Sequence, residues 1–328
     1  MKRIILALAL SMILACGAVL SYYHLHVKPF WVRSLTYEES SEILITQGSS
    51  SQKIIAQLAD AGLISDPLSF RIMATLAQHV QSYKAGEYRF EAGMTPQQIS
   101  EQLVAGDVIK RTLTFPEGGM NAQIIKELRE EPLLHGEVHT PPEEGMLLPE
   151  TYHYVRAMPR QEIVDSMKAA MRTAMDSAWQ KRDASVALES PREMLILASI
   201  VEKETGVAGE RAKIAAVFHN RLRLKMKLQS DPTANYGLYR RTGALKTRMM
   251  RADVEDVSEY NTYIIEGLPP SPICNPGKAS IEAVAHPDVS DALYFVADGK
   301  GGHVFANTLA EHNRNVAAYR RAMRATKE

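Results

Sequence analysis

The chain has 328 residues, 45% of them hydrophobic and 23% charged, and its 38 basic side chains balance 38 acidic ones. This is the composition of a globular chain with length for about two domains, and it excludes a disordered or fibrous one. It lacks the basic excess of a general nucleic-acid binder, and two cysteines, Cys16 and Cys274, exclude a disulfide framework or a multi-cysteine zinc site.

After Lys2 and Arg3, no charged residue occurs from Ile4 to Tyr23. Twenty helical residues rise roughly 30 Å, the thickness of bilayer hydrocarbon. The spacing therefore predicts a transmembrane signal anchor over 4–23, with residues 1–3 in the cytoplasm because the basic residues precede it. A cleaved signal peptide ending near Ala15-Cys16-Gly17, or lipidation at the lipobox-like Ile13-Leu14-Ala15-Cys16, are the alternatives. Each of the three exports the remaining chain. Cys274, as a lone exported cysteine, suits a small buried residue.

Residues 24–41 are expected to form a stalk. Over 42–131 a strand, a glycine turn and an amphipathic helix recur three times. The strands are Ile43-Leu44-Ile45, Tyr88-Arg89-Phe90 and Leu113-Thr114-Phe115, and the turns hold Gly48, Gly93 and Gly118. This degenerate repeat predicts a small α/β module. Pro, His, Gly and Glu then mark a linker over 132–143, where His135 and His139 lie too near Gly136 and the prolines to align as metal ligands on a helix.

The remainder, 144–328, is expected to be mainly helical with a short β-hairpin. Ile163, Met167, Met171, Met175 and Trp179 follow i+4 spacing and predict a helix whose stripe is core. Ser190-Pro191-Arg192-Glu193 opens another helix with a capping box, and Gly206 offers it a left-handed stop. At about 100° per residue, Glu204 falls in the middle of that helix's apolar face, and Glu202 falls on the opposite, solvated side. Desolvation raises a carboxyl pKa, and the negative end of the helix dipole adds to it. Glu204 is thus suited to act as a general acid in glycosidic cleavage. The competing reading is a glutamate paired with Arg211 or Arg221, and Glu202 is its rival for the role.

Leu197-Ala198-Ser199-Ile200-Val201-Glu202-Lys203-Glu204-Thr205 closely resembles the signature of the MltG (YceG-like) endolytic murein transglycosylases. Further segments match in order: Glu144 to Tyr152, Val217 to Leu222, Leu228 to Thr233, Tyr260 to Tyr263, Gly267 to Pro270, Asn275 to Gly277, and Tyr294 to Ala297 before His303 to Phe305. The α/β module resembles that family's LysM-like region. Met146 and Leu147 stand where bulkier aromatics are common, and His219 replaces a usually apolar residue.

The resemblance implies cleavage of the MurNAc–GlcNAc β-1,4 bond within peptidoglycan strands, giving 1,6-anhydroMurNAc ends, with Glu204 as the catalytic residue. Because the muramoyl C6 hydroxyl attacks C1, no second carboxylate is needed to activate water, unlike the paired carboxyls of ordinary glycosidases. Candidate substrate contacts are Glu150, Gln229, Ser230, Asp231, Asn261, Thr262 and Tyr263, with Glu202, Asn220, Arg221 and His303 in supporting positions. For Asp231 and Asn261 the alternative is bonding within their own turns. No metal or cofactor is expected. The implied partners are peptidoglycan strands, the bacterial cytoplasmic membrane and cell-wall synthases. A hydrolytic muramidase and a non-catalytic peptidoglycan-binding scaffold are the alternative functions.

Overall fold

A computed structural model describes residues 2–35 and 39–325 of the chain. Parts of three expected segments lie outside the described residues: Met1, residues 36–38 of the stalk, and the last three residues of the catalytic region. The chain divides into two units, one of residues up to Arg111 with His153–Ala157, the other of Thr112–Tyr152 and the residues from Met158 on.

In the first unit, α1 (Lys2–Tyr22) passes through a π-helical turn (Tyr23–Val27) into α2 (Lys28–Val32). Together they make one helix of 31 residues whose most apolar stretch has a mean hydropathy of 2.6 and no buried residue. The first part of the expected stalk is thus helical, because Val27 and Trp31 are buried and the Trp31 ring lies 5.5 Å from that of Phe70. β1 (Ser41–Ile45), α3 (Ser51–Asp60), α4 (Pro67–Leu76), β2 (Gly86–Phe90) and α5 (Pro96–Ala105) come next in the chain. β1 and β2 pair antiparallel with Ile43 opposite Tyr88, and their buried residues meet Leu58, Phe70, Ile99 and Leu103 in one core. α4 was not among the sequence expectations, although Asp66 caps it through Leu68 and Ser69 N–H and Pro67 stands at its first position.

The second unit contains α6 (Asn121–Glu130), so the third strand–turn–helix copy separates from the other two. The reason is local: Met120 joins the second unit's core, Asn121 donates to the carbonyls of Pro142 and Glu143, and its N–H donates to the Glu144 carboxylate. The division between units accordingly falls at Arg111 and not at 131. β3 (Arg111–Thr114) and β4 (Thr151–Tyr154) span the division in the chain, and the Thr114 and Thr151 hydroxyls bond at 2.8 Å.

Helices dominate the rest of the second unit: α7 (Arg160–Lys181), α8 (Pro191–Glu204), a 3₁₀ turn (Ala208–Glu210), α9 (Arg211–Arg223), α10 (Asp231–Thr242), α11 (Arg251–Val254) and α12 (Lys278–Ala285). The hairpin of β5 (Tyr294–Ala297) and β6 (His303–Ala306) pairs antiparallel, and α13 (Leu309–Ala325) packs on it. The Ile163, Met167, Met171 and Met175 stripe of α7 is buried as core. α8 is the axis of this unit, packed by α7, α9, α10 and α12, with every residue from Met194 to Val201 buried. Cys274 is fully buried, its Sγ 3.3 Å from the Ser199 carbonyl of α8.

Candidate active site

The start and stop of α8 fix where its last two glutamates point. Ser190 accepts the Glu193 N–H at 3.2 Å, but Glu193 reaches back to the Glu189 N–H at 2.7 Å, so only half of the expected capping box forms. At the other end the helix stops without a left-handed glycine. Thr205 turns extended (φ −142°, ψ 134°) and its hydroxyl accepts the Val207 N–H at 2.9 Å, which leaves Gly206 no capping role. The chain thereby leaves the helix directly after Glu204.

Glu204 accepts one side-chain hydrogen bond, from Ser230 Oγ at 2.5 Å. Burial pushes its carboxyl up to about 7; the Ser230 hydroxyl and the charges of His303 and Arg221 oppose that rise, and Asp231 adds to it. The carboxyl opens on a cavity of about 600 Å³. Gln229, Asp231 and Tyr263 line the same cavity, as do Arg221 and Tyr294. Gln229 holds a left-handed backbone (φ 52°), and its N–H donates to the Thr262 carbonyl at 3.1 Å. That turn presents Ser230 to Glu204 and starts α10 at Asp231, whose Oδ1 accepts the Tyr263 hydroxyl at 2.7 Å.

Glu202 differs from the expectation of a solvated face. Its side chain is only 6% exposed. Its Oε2 accepts the Gly277 N–H at 3.0 Å and the Ser280 hydroxyl at 2.7 Å, and Arg211 stands 3.9 Å from Oε1. The helical wheel failed here because α12 packs on α8 and brings Gly277 and Ser280 over Glu202. A Cβ at Gly277 would lie 1.8 Å from Glu117 Oε1, so any larger residue there would require the Glu117 side chain to shift.

The other sequence candidates divide into wall and frame. Thr262 is fully buried; its Oγ1 accepts the Ser230 N–H at 3.0 Å and bonds Thr233 Oγ1 at 2.7 Å. Asn261 donates to the Val254 and Asp256 carbonyls and accepts the Tyr263 N–H, which is the turn-bonding alternative. Asn220 donates to the Ser290 and Ala292 carbonyls. None of these three lines the Glu204 cavity. Glu150 lies away from it as well, exposed and paired with Lys278 at 2.8 Å. His303, the first residue of β6, is held by Glu210 at 2.7 Å and is not on the cavity wall. Arg221 is both wall and frame: it lines the cavity while donating to the carbonyls of Leu293, Lys227 and Leu228.

His219 fits its apolar position because both ring nitrogens meet backbone. Nδ1 accepts the Ala187 N–H at 3.3 Å and Nε2 faces the Val284 carbonyl at 2.9 Å, and burial lowers its pKa. Among the described residues no three His, Cys, Asp or Glu side chains gather as a metal site. His135 instead makes a backbone bridge with Pro159.

Sequence reasoning missed the contribution of α13. Leu309, His312, Val316 and Arg320 line the Glu204 cavity from this helix. Their spacing of three, four and four is an i, i+3/i+4 stripe that a periodicity scan of 309–320 detects.

Comparison with known proteins places this geometry among relatives. A profile described as "YceG-like family" matches residues 43–318. The protein named "Endolytic murein transglycosylase" from Bacillus subtilis (strain 168) is 32% identical over 314 residues, covering 84% of each chain. Its namesake from Streptococcus pneumoniae serotype 2 is 30% identical over 328 residues; the match covers 84% of this chain and 57% of that longer one. The crystal structure of a yceG-like protein from Listeria monocytogenes aligns with a TM-score of 0.52 at 30% identity, covering 85% of this chain and 99% of that one.

Proposed function

Since the chain belongs to the YceG-like family, we propose that it is a peptidoglycan lytic transglycosylase, anchored in the cytoplasmic membrane, that cuts glycan strands internally. It cleaves the MurNAc–GlcNAc β-1,4 bond and leaves a 1,6-anhydroMurNAc end. The observation that carries this reading is the Glu204 carboxyl: buried, raised to about 7, held by one hydroxyl and open to a cavity.

A carboxyl titrating near neutral pH can give a proton and take one back within a single turnover. Protonated Glu204 donates to the glycosidic oxygen as the C1–O bond breaks. The resulting carboxylate then accepts the proton of the muramoyl C6 hydroxyl as that oxygen bonds to C1. Ser230 holds the carboxyl through both steps, since a hydroxyl can donate to the carboxylate and remain a neighbour of the acid. Gln229, Asp231 and Tyr263 are the substrate contacts on the wall, and Thr262, Asn261 and Asn220 act by holding that wall in place.

The 31-residue apolar helix supports a single-pass anchor, with the folded units outside the cytoplasm. Two helices between antiparallel β1 and β2 support a LysM-like reading of the first unit. Cell-wall synthases are natural partners for a strand cutter held at the membrane.

Hydrolysis is the second reading, favoured by one observation: Asp231 lines the same cavity and is a second carboxylate. Mass spectrometry of products from purified peptidoglycan separates the two. Anhydro ends that vanish with Glu204→Gln support the lytic reaction, whereas reducing ends that vanish with Asp231→Asn replace it with hydrolysis. Strand binding without any product returns the protein to a scaffold.

A further inference from the structure

The wall that α13 contributes differs in charge from the one opposite. Arg320 points into the Glu204 cavity, and among the described residues it makes no ion pair or hydrogen bond. Two turns earlier His312 lines the same cavity; its Nδ1 is buried with no hydrogen-bond partner among the described residues, and its ring stacks on Tyr294 at 5.2 Å. Arg221 stands beside them, its guanidinium carbon 5.2 Å from the Tyr294 ring centre. Its hydrogen bonds go to backbone carbonyls, and among the described residues it makes no ion pair with a carboxylate. On the other wall, Asp231 is occupied by the Tyr263 hydroxyl.

An unpaired guanidinium on the cavity wall, two turns from a lining histidine whose ring nitrogen has no partner among the described residues, suits an acceptor. The strand supplies one on every second sugar. GlcNAc has no ionisable group, whereas each muramoyl residue bears a carboxylate, either on its stem peptide or, once the peptide is removed, on its own lactyl ether. Both sugars also have a C6 hydroxyl. Attack chemistry alone therefore does not distinguish a MurNAc–GlcNAc bond from the GlcNAc–MurNAc bond next to it.

Resting on the transglycosylase reading, we propose that Arg320 and His312 of α13, with the charge of Arg221 behind them, form a carboxylate subsite that seats the muramoyl residue and so sets which bond meets Glu204. The guanidinium of Arg320 presents paired N–H donors that match a carboxylate. Arg320 is then a specificity-determining residue and takes no part in the proton transfers.

The test uses the full chain in detergent micelles and three strand preparations: peptide-bearing, amidase-treated with free lactyl carboxylates, and the same strands with their carboxylates converted to methylamides. Arg320→Gln is expected to raise KM at least tenfold on one of the two charged preparations, with kcat within about threefold. The preparation affected names the source of the carboxylate. Arg320→Lys should recover part of the loss, and Arg314→Gln, on the same helix but off the cavity, is the folding control. A KM for Arg320→Gln equal to wild type on both charged preparations, or an equal rise on the methylamide strands, overturns the subsite while leaving the reaction in place. The converse is also distinguishable. Binding of strands to Glu204→Gln that Arg320→Gln weakens tenfold, with no cleavage by wild type, keeps the subsite and removes the reaction.

Discussion

Two sides of one helical turn receive chemically identical side chains and treat them oppositely. On the α12 side, Glu202 is surrounded by donors: an N–H, a hydroxyl and a nearby guanidinium. On the cavity side, two residues on, Glu204 has among the described residues only the Ser230 hydroxyl as a side-chain donor, and a pKa raised to about 7. Both side chains are largely buried, so burial by itself does not set the two apart. The number and kind of donors that meet the charged form set how far burial can raise a carboxyl's pKa.

Neutralising each carboxyl in turn should break the comparison most widely. Glu204→Gln is expected to lower strand cleavage by about 10²–10⁴-fold, the usual range for a lost general acid, with the circular dichroism spectrum unchanged. Glu202→Gln should do the reverse. It leaves Arg211 without the more buried of its two carboxylate neighbours and weakens the tie to Gly277 and Ser280, at about 1–3 kcal/mol of stability, read as a lower midpoint in urea. Equal loss of cleavage from both variants, with no change in stability, would erase the distinction.

The next largest effect is on pH dependence. Glu204 has a folded pKa of about 7 against an ordinary value of 4.5. Between those values the unfolded chain has released a proton that the folded chain retains, so folding stability declines as pH rises through this window. At about 1.4 kcal/mol per pH unit the decline is on the order of 3 kcal/mol. Thermal melts of wild type and Glu204→Gln should therefore agree near pH 4 and diverge by pH 8, with the variant higher. Cleavage by wild type should fall above pH 7 as the acid form is lost.

Removing the one donor sharpens the comparison further. Ser230→Ala withdraws a hydrogen bond that favours the carboxylate, so the alkaline limb of the pH–rate profile should move upward by roughly one unit. An unmoved limb would show that Ser230 does not tune the acid. The smallest effect lies at the far end of the same helix. Ser190→Ala should cost about 1 kcal/mol through the lost N-cap, with the pH profile of cleavage unaltered.

Much of this was legible in the sequence, and the misses share a cause. Ser190 and Pro191 located the start of α8, and the hairpin and the α7 methionine stripe followed from short-range patterns. Glu204 was singled out by its place among apolar neighbours. The same wheel assigned Glu202 to solvent, because periodicity on one helix carries no information about a second helix covering its other side. Thr262 and Asn261 illustrate the limit for polar residues. Hydroxyl and amide groups beside a cleft have the same composition whether they face a sugar or hold the loop, and only the fold shows that Thr262 turns inward to Ser230 and Thr233. α13 was missed because its charges are ordinary for a surface helix; their meaning comes from the cavity they face.

The unbroken helix from Lys2 to Val32 has a mechanical consequence for the membrane-anchored reading. Thirty-one residues rise about 46 Å, while bilayer hydrocarbon takes about 30 Å. The remaining two or three turns emerge as a strut, clamped at its outer end where Val27 and Trp31 sink into the first unit. A flexible leash would let that unit roam over the membrane, but a clamped strut transmits torque. Each residue inserted between the hydrocarbon and Val27 would lift the unit by only about 1.5 Å while swinging it about 100° around the helix axis. The helix therefore fixes the compass bearing of the first unit as well as its height.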